Sequence, residues 1–139
     1  MRALDTNILA RFYVDDPNDP EAAKQRPIAR KVFTDNEHLF VPRKVILELE
    51  WVLRALYAFT VEDFVHVVNH LLGMANVTVE DWVQVADALE LHQAGLDFAD
   101  ALHLLSSRHC DEFLSFDDRR FARRAQRLKT KPPVIVPAS

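Results

Sequence analysis

The 139-residue chain is poor in the residue types that build several common kinds of site. Its two glycines leave no material for a Gly-rich phosphate-binding loop. Its one cysteine, Cys110, excludes an intramolecular disulfide and a multi-cysteine zinc site, and predicts a reducing, intracellular setting. We interpret Cys110 as a packed thiol rather than a nucleophile, because no basic partner for it is evident.

Long apolar runs are absent as well. No stretch reaches the roughly 18 apolar residues of a membrane-spanning helix, and the opening Met-Arg-Ala-Leu-Asp has no signal-like character. The sequence therefore predicts a soluble, cytoplasmic protein that does not enter a membrane. An apolar content of 49% suffices for a core, and no repeat or linker divides the chain, so we expect one domain over 1–139.

Acidic residues are missing from the C-terminal end, where basic ones are concentrated. The other ten of the 17 basic residues share positions 1–118 with all 21 acidic residues, so the net charge of −4 conceals an acidic body and a basic end. A basic segment can bind phosphate groups, but it is also typical of a solvated helix face. The basic residues of this end are Arg119, Arg120, Arg123, Arg124, Arg127, Lys129 and Lys131.

Short apolar segments alternate with longer helical patterns, which is typical of an α/β protein with a parallel sheet flanked by helices. Binding sites in such proteins lie beyond the carboxyl ends of the strands. Asp19 and Thr60 are predicted helix caps, and Gly95 a C-terminal cap. Strands are predicted at about 2–4, 39–41, 77–79, 113–116 and 134–136, and helices at about 8–13, 20–34, 43–57, 61–73, 82–94, 98–108 and 118–128.

Helical periodicity predicts which side chains are buried. Glu48 falls at the edge of the apolar face of helix 43–57, whereas Glu50 is predicted to point toward water. The apolar side chains of helix 61–73 are either core or a dimer surface. The predicted apolar positions are Ile28, Val32 and Phe33; Val45, Leu49, Val52, Leu53 and Leu56; and Phe64, Val65, Val68 and Leu71.

Two aspartates occupy equivalent places after predicted strands. Asp5 follows the first strand and precedes Thr6 and Asn7, and Asp117 follows the strand at 113–116. Either could be an ordinary helix N-cap, and Asp118 leaves the second position ambiguous. If both strands lie in one sheet, like charges meet at one edge, which is costly unless a cation or a proton neutralises them.

Further acidic residues lie at predicted helix positions. Asp97 and Asp100 share a face at the start of helix 98–108, where negative charge is also favoured for purely structural reasons. His103 lies one turn further on, and we interpret it as a packed or surface histidine rather than a ligand. Glu48, taken alone, is more typical of a boundary residue than of a site.

Carboxylates are the ligands that hard cations such as Mg²⁺ prefer, and one or two bound ions can drive phosphodiester hydrolysis. No Ser–His or Cys–His arrangement offers a competing nucleophile. A covalent phosphohydrolase that uses Asp5 as nucleophile commonly has a second acid two residues on, and position 7 is Asn.

Several segments together resemble the PIN-domain family, and most closely its stand-alone VapC-type toxin nucleases. They occur in the family's order and span nearly the whole chain. They are the opening Met1-Arg-Ala-Leu-Asp-Thr-Asn-Ile-Leu9, the lone Glu48 in an early helix, Gly95-Leu-Asp-Phe-Ala-Asp-Ala-Leu-His103, and Ser115-Phe-Asp117.

The resemblance implies a single-domain parallel sheet flanked by helices and Mg²⁺- or Mn²⁺-dependent cleavage of RNA by a metal-activated water. It also implies restraint by an antitoxin protein and a homodimer. The acidic metal-site residues would be Asp5, Glu48, Asp100 and Asp117, the last chosen over Asp118. Supporting roles would fall to Thr6, Asn7, Asp97, Ser115 and Asp118, and RNA phosphates would be contacted by Arg119, Arg120, Arg123 and Arg124.

A different interpretation keeps the fold without the chemistry. In it the protein is a non-catalytic PIN-like binder, whose acidic pocket receives the basic side chains of a regulatory partner. Divalent-dependent RNA cleavage separates the two interpretations, because a pure binder shows none.

Overall fold

The computed structural model describes residues 1–138, which form two compact units, one over residues 1–82 and the other from residue 83 onward. Each unit has a parallel sheet of its own, of three strands in the first and two in the second. The predicted α/β class with parallel strands is therefore confirmed. The strands form two separate sheets rather than one.

The first unit contains three strands and four helices. The strands run in the order β1–β2–β3, with Arg2 opposite Leu39 and Leu39 opposite Val77. Helix α1 packs against α2 and α3. The elements are β1 (Arg2–Ala3), α1 (Thr6–Tyr13), α2 (Pro20–Asp35), β2 (Leu39–Val41), α3 (Arg43–Tyr57), α4 (Val61–Gly73) and β3 (Val77–Val79).

Local sequence signals set most helix boundaries in this unit. Asp19 caps α2 by accepting hydrogen bonds from the backbone of Glu21 and Ala22, and Pro20 takes the first helical position. Thr60 and Asp63 form the reciprocal capping box predicted for α4. These predictions are confirmed because each depends only on residues within one helical turn.

The buried face of α3 differs from the predicted one. Its centre lies at Ile46, Leu49 and Leu53, while Leu56 is 63% exposed. Glu50, predicted to point toward water, is buried, and this prediction is wrong. Arg54, one turn further on, lies 2.8 Å from the Glu50 carboxylate and supplies the opposite charge that makes burial tolerable.

Two other predictions of burial have opposite outcomes. Ile28, predicted as an anchor of α2, is exposed, because Ala22, Ala29 and Phe33 form the buried side of that helix. The four apolar side chains predicted in α4 are buried within the chain, so they belong to the core rather than to a dimer surface. They are Phe64, Val65, Val68 and Leu71.

The second unit carries helices α5 and α6 ahead of a pair of parallel strands. Leu114 lies opposite Ile135 in the sheet. Gly95, with φ of +113°, follows α5 in a conformation that suits glycine. The elements are α5 (Trp82–Gln93, beginning at the boundary), α6 (Phe98–Ser106), β4 (Phe113–Leu114), a π-helical turn (Asp118–Ala122), α7 (Arg123–Leu128) and β5 (Val134–Ile135).

Three details of this unit depart from prediction. Strand β4 is two residues shorter at its end, and the helix predicted from Asp118 opens as a π-helical turn, closed by a bond from Ala122 N–H to the Asp117 carbonyl. Cys110 is exposed, so the expectation of a packed thiol is wrong.

Along residues 1–138, no helix has the length and apolar character to span a bilayer.

Candidate active site

Asp5 lies between the end of β1 and the first residue of α1. The backbone N–H of Leu4 still donates to the Phe40 carbonyl of β2, so Asp5 begins immediately beyond the sheet ladder. Its Oδ1 accepts a hydrogen bond of 2.7 Å from the Thr6 backbone, which makes it the N-cap of α1. Asp5 therefore has a structural role as a helix cap. Its carboxylate is also exposed to solvent at the carboxyl end of β1.

Thr6 joins Asp5 to Glu48, which is 42 residues away in sequence. The Thr6 hydroxyl donates to Glu48 Oε2 at 2.7 Å, while its backbone N–H holds Asp5. Thr6 is 8% exposed, whereas Glu48 is exposed on α3. One buried threonine thus positions two of the predicted acids, and we call Asp5, Thr6 and Glu48 the Thr6 group.

The Thr6 group lines a cavity of about 440 Å³ in the first unit. Asn7, predicted as a supporting residue, lines it too. Arg11 and Tyr57, which sequence reasoning did not single out, stand in the same wall, joined by a hydrogen bond of 3.1 Å from Arg11 Nη1 to the Tyr57 hydroxyl. The available signal for Arg11 was its position one helical turn after Asn7 on α1.

In the second unit, Asp97, Asp100 and Asp117 form what we call the Asp100 group. Partial burial raises the pKa of Asp100, and the negative charges of Asp97 and Asp117 raise it further, while His103 opposes the shift. Asp97 caps α6 by accepting from the Asp100 backbone at 3.1 Å. The group therefore holds more negative charge than its surroundings compensate.

Asp117 and Asp118 have different surroundings. The Asp117 carboxylate accepts from the backbone of Arg120, and its own N–H donates to Ser115 Oγ at 3.0 Å. Asp118 instead pairs with Arg123, whose Nη2 lies 2.8 Å from Asp118 Oδ2. Asp117 is the one whose charge acts on Asp100, and Asp118 is already neutralised by a cation.

The four arginines predicted to contact RNA also differ in their partners. Arg123 is engaged by Asp118, and Arg124 donates to the Gly95 carbonyl at 3.0 Å. Arg119 and Arg120 are exposed, and within residues 1–138 neither side chain forms an ion pair. Within residues 1–138, three of the four predicted residues thus keep positive charge that no acid compensates, because the Gly95 carbonyl that Arg124 contacts is neutral.

The predicted acids suit a hard cation in ligand type and charge. All are oxygen donors, and among residues 1–138 none of the five acids in the Thr6 and Asp100 groups forms a salt bridge with Lys, Arg or His. In the same part of the chain, no three His, Cys, Asp or Glu side chains are grouped so as to hold a metal ion. His103, exposed on α6, is accordingly a surface histidine.

A second cavity, of about 510 Å³, contains none of the predicted site residues. It lies in the second unit, with Leu91, Leu104 and Leu105 among its lining and an ion pair of Arg108 with Asp87 at its edge. It is larger than the cavity at the Thr6 group but offers no uncompensated acid cluster. Size alone therefore does not identify the site of chemistry.

Comparison with known proteins assigns the chain to a family. A family model for the PIN domain matches residues 2–127. The chain belongs to the PIN-domain family. It is also 30% identical over 125 residues to a VapC ribonuclease of Aquifex aeolicus (strain VF5), covering 87% of this chain and 90% of that protein. These two matches confirm the family resemblance that the sequence motifs suggested.

Proposed function

We propose that this PIN-domain protein is a divalent-metal-dependent endoribonuclease. We further propose that it is the toxin of a bacterial type II toxin–antitoxin pair, a cytoplasmic homodimer restrained by its antitoxin. The observation that carries the proposal is the Asp100 group, where partial burial and the negative charges of Asp97 and Asp117 raise the pKa of Asp100 and only His103 opposes them. The kinship with a VapC ribonuclease supplies RNA as the substrate class.

Asp5, Glu48, Asp100 and Asp117 are, in this proposal, the acids on which cation binding and cleavage depend. A bound Mg²⁺ or Mn²⁺ would supply positive charge for the scissile phosphate and would lower the pKa of a water molecule, so that this water could lose a proton and attack the phosphorus. Thr6 fixes the orientation of Glu48 and Asp5, and Ser115 fixes the backbone of Asp117. Arg119 and Arg120 bind flanking phosphates, and cleavage leaves a 5′-phosphate and a 3′-hydroxyl.

The first test replaces Asp5 by Asn, which keeps the shape of the side chain and removes its charge. We expect RNA cleavage to fall by about 1,000-fold, because a charge that acts on the transition state is lost, and Mn²⁺ binding measured by calorimetry to weaken. Asp35→Asn makes the same chemical change at the exposed end of α2 and should leave cleavage unaltered. Circular dichroism verifies that both variants fold.

Unchanged cleavage by a folded Asp5→Asn protein would remove the nuclease proposal. One observation favours the alternative of a non-catalytic binder, namely that residues 1–138 contain no group of three ligands arranged for a metal. Adding Mg²⁺ or Mn²⁺ to wild-type protein with a labelled oligoribonucleotide decides between the two. Divalent-dependent cleavage supports the nuclease, and binding of an Arg-rich partner without cleavage supports the binder.

A further inference from the structure

Phe116 is an aromatic residue left in water directly beside a predicted catalytic acid. It is 84% exposed and immediately precedes Asp117. A buried phenylalanine normally contributes substantially to stability, and this one forgoes nearly all of that contribution. Its neighbour Phe113, by contrast, packs edge-to-face on Phe121 with ring centres 5.4 Å apart. The Phe116 ring therefore contributes little to the stability of the fold.

The backbone on either side of Phe116 is held firmly. The Ser115 N–H donates to the Ile135 carbonyl of β5 at 3.1 Å, and the Asp117 N–H donates to Ser115 Oγ at 3.0 Å. The Asp117 carbonyl in turn accepts from Ala122 at 2.9 Å. The backbone of Phe116 is therefore fixed between the strand and the π-helical turn before any ligand arrives, which lowers the cost of ordering this segment on binding.

Positive charge lies on the π-helical turn that follows Phe116 in sequence. Arg119 and Arg120 are exposed, and within residues 1–138 neither side chain is paired with an acid, unlike Arg123. An exposed aromatic ring combined with uncompensated cations is the combination that binds single-stranded nucleic acid, in which bases stack on rings and phosphates meet the cations.

We propose that Phe116 stacks on a base of single-stranded RNA next to the bond that is cut, and so helps to select and position the substrate. This inference rests on the proposed function. Phe116 is a positioning residue in it: the ring holds a nucleotide beside Asp117 while Arg119 and Arg120 hold phosphates.

The alternative is that a protein partner covers Phe116. Leu114 is also exposed and lies opposite Ile135 on the same small sheet, so an apolar strip is available to such a partner. A protein that covered an apolar strip would contact Leu114 and Phe116 alike. The uncompensated arginines next to Phe116, and its contiguity with Asp117, favour RNA instead. Leu114 is therefore the matched control.

The experiment measures binding of a fluorescent, unstructured oligoribonucleotide by anisotropy in EDTA, and its cleavage with added Mn²⁺. We expect Phe116→Ala to weaken binding by about 5- to 100-fold, the range for loss of one base stack. Phe116→Trp should restore binding, and Leu114→Ala should leave it unaltered. Single abasic substitutions along the RNA should reveal one position at which Phe116→Ala no longer has an effect.

The failures of the two proposals differ. If wild-type protein cleaves RNA and Phe116→Ala behaves like wild type in binding and cleavage, the stacking role is overturned and the nuclease stands. If Phe116→Ala and Leu114→Ala both leave RNA binding intact but both disrupt self-association in sedimentation, the strip is a protein interface and the stacking role again fails. If wild-type protein neither binds nor cleaves RNA, both proposals fall.

Discussion

The Thr6 group and the Asp100 group differ in what surrounds their carboxylates. In the first unit, neutral donors organise the acids, since the Thr6 hydroxyl binds Glu48 and the Thr6 N–H binds Asp5. In the second unit, the pKa of Asp100 is raised by partial burial and by the negative charges of Asp97 and Asp117. Both groups contain hydrogen-bonded carboxylates, but only in the Asp100 group do burial and like charge together make ionisation of one acid costly.

This difference indicates separate tasks. Carboxylates that are fixed by neutral donors keep their orientation whether or not a ligand is present. Carboxylates that repel one another gain most from a positive ligand, because its binding removes an existing cost. We infer that the Thr6 group contributes geometry and the Asp100 group contributes the drive to bind a cation.

Replacing Thr6 by Val tests whether the first group depends on its hydroxyl. The two side chains have similar shapes, so the variant removes the bond to Glu48 and little else. We expect kcat/KM for RNA cleavage to fall by about 10- to 100-fold, the usual cost of losing a group that orients a metal ligand. Thr6→Ser keeps the hydroxyl and should retain most activity.

The same variant should hardly change thermal stability, because Glu48 is exposed and water replaces the lost donor. Full activity in a folded Thr6→Val protein would show that Glu48 needs no orientation from Thr6. The inference that the Thr6 group contributes geometry would then fail.

How far the sequence predicts these groups depends on the range of the interactions. The caps at Asp19 and Thr60, and the capping positions of Asp5 and Asp97, need only neighbouring residues and could be predicted. The bond from Thr6 to Glu48 joins residues 42 positions apart, so no local pattern contains it.

The preference for Asp117 over Asp118 shows the same limit. Sequence leaves two adjacent aspartates equivalent, and the family pattern alone favours the first. In the structure they differ because Arg123 pairs with Asp118, while Asp117 acts on Asp100. The error at Glu50 arose likewise, since helical periodicity cannot anticipate that Arg54 would neutralise a buried charge.

Glu50 offers a third arrangement for comparison, a buried acid neutralised by a fixed cation. Replacing Arg54 by Met leaves the Glu50 charge unpaired, and we expect the free energy of unfolding in urea to fall by about 1–2 kcal/mol. The expected loss is modest because Arg54 is half exposed, so solvent already screens the pair.

A double variant, Glu50→Leu with Arg54→Met, removes both charges and should recover most of the lost stability. RNA cleavage should stay near the wild-type level in both proteins, because Glu50 belongs to neither acidic group. A marked loss of cleavage with unchanged stability would contradict this assignment and give Glu50 a role in the chemistry.

The smallest expected effect comes from Asp100→Asn measured without metal, and its sign is unusual for a site residue. The folded state raises the pKa of Asp100, so ionised Asp100 destabilises the fold above that pKa, and the cost disappears below the ordinary value of 3.8. Removing the charge should therefore raise Tm at neutral pH by roughly 1 to 3 °C. The gain should shrink as the pH falls and wild-type Asp100 takes up a proton.

Asp63 provides the control of opposite sign. Hydrogen bonds from the Thr60 backbone and hydroxyl lower the pKa of Asp63, so Asp63→Asn should lower Tm at neutral pH, with the loss fading toward acid. Adding Mn²⁺ should then raise Tm more for wild type than for Asp100→Asn, because the ion relieves a repulsion that the variant lacks. If Asp100→Asn lowers Tm at neutral pH, the Asp100 charge is compensated within the fold, and the distinction between the two groups fails.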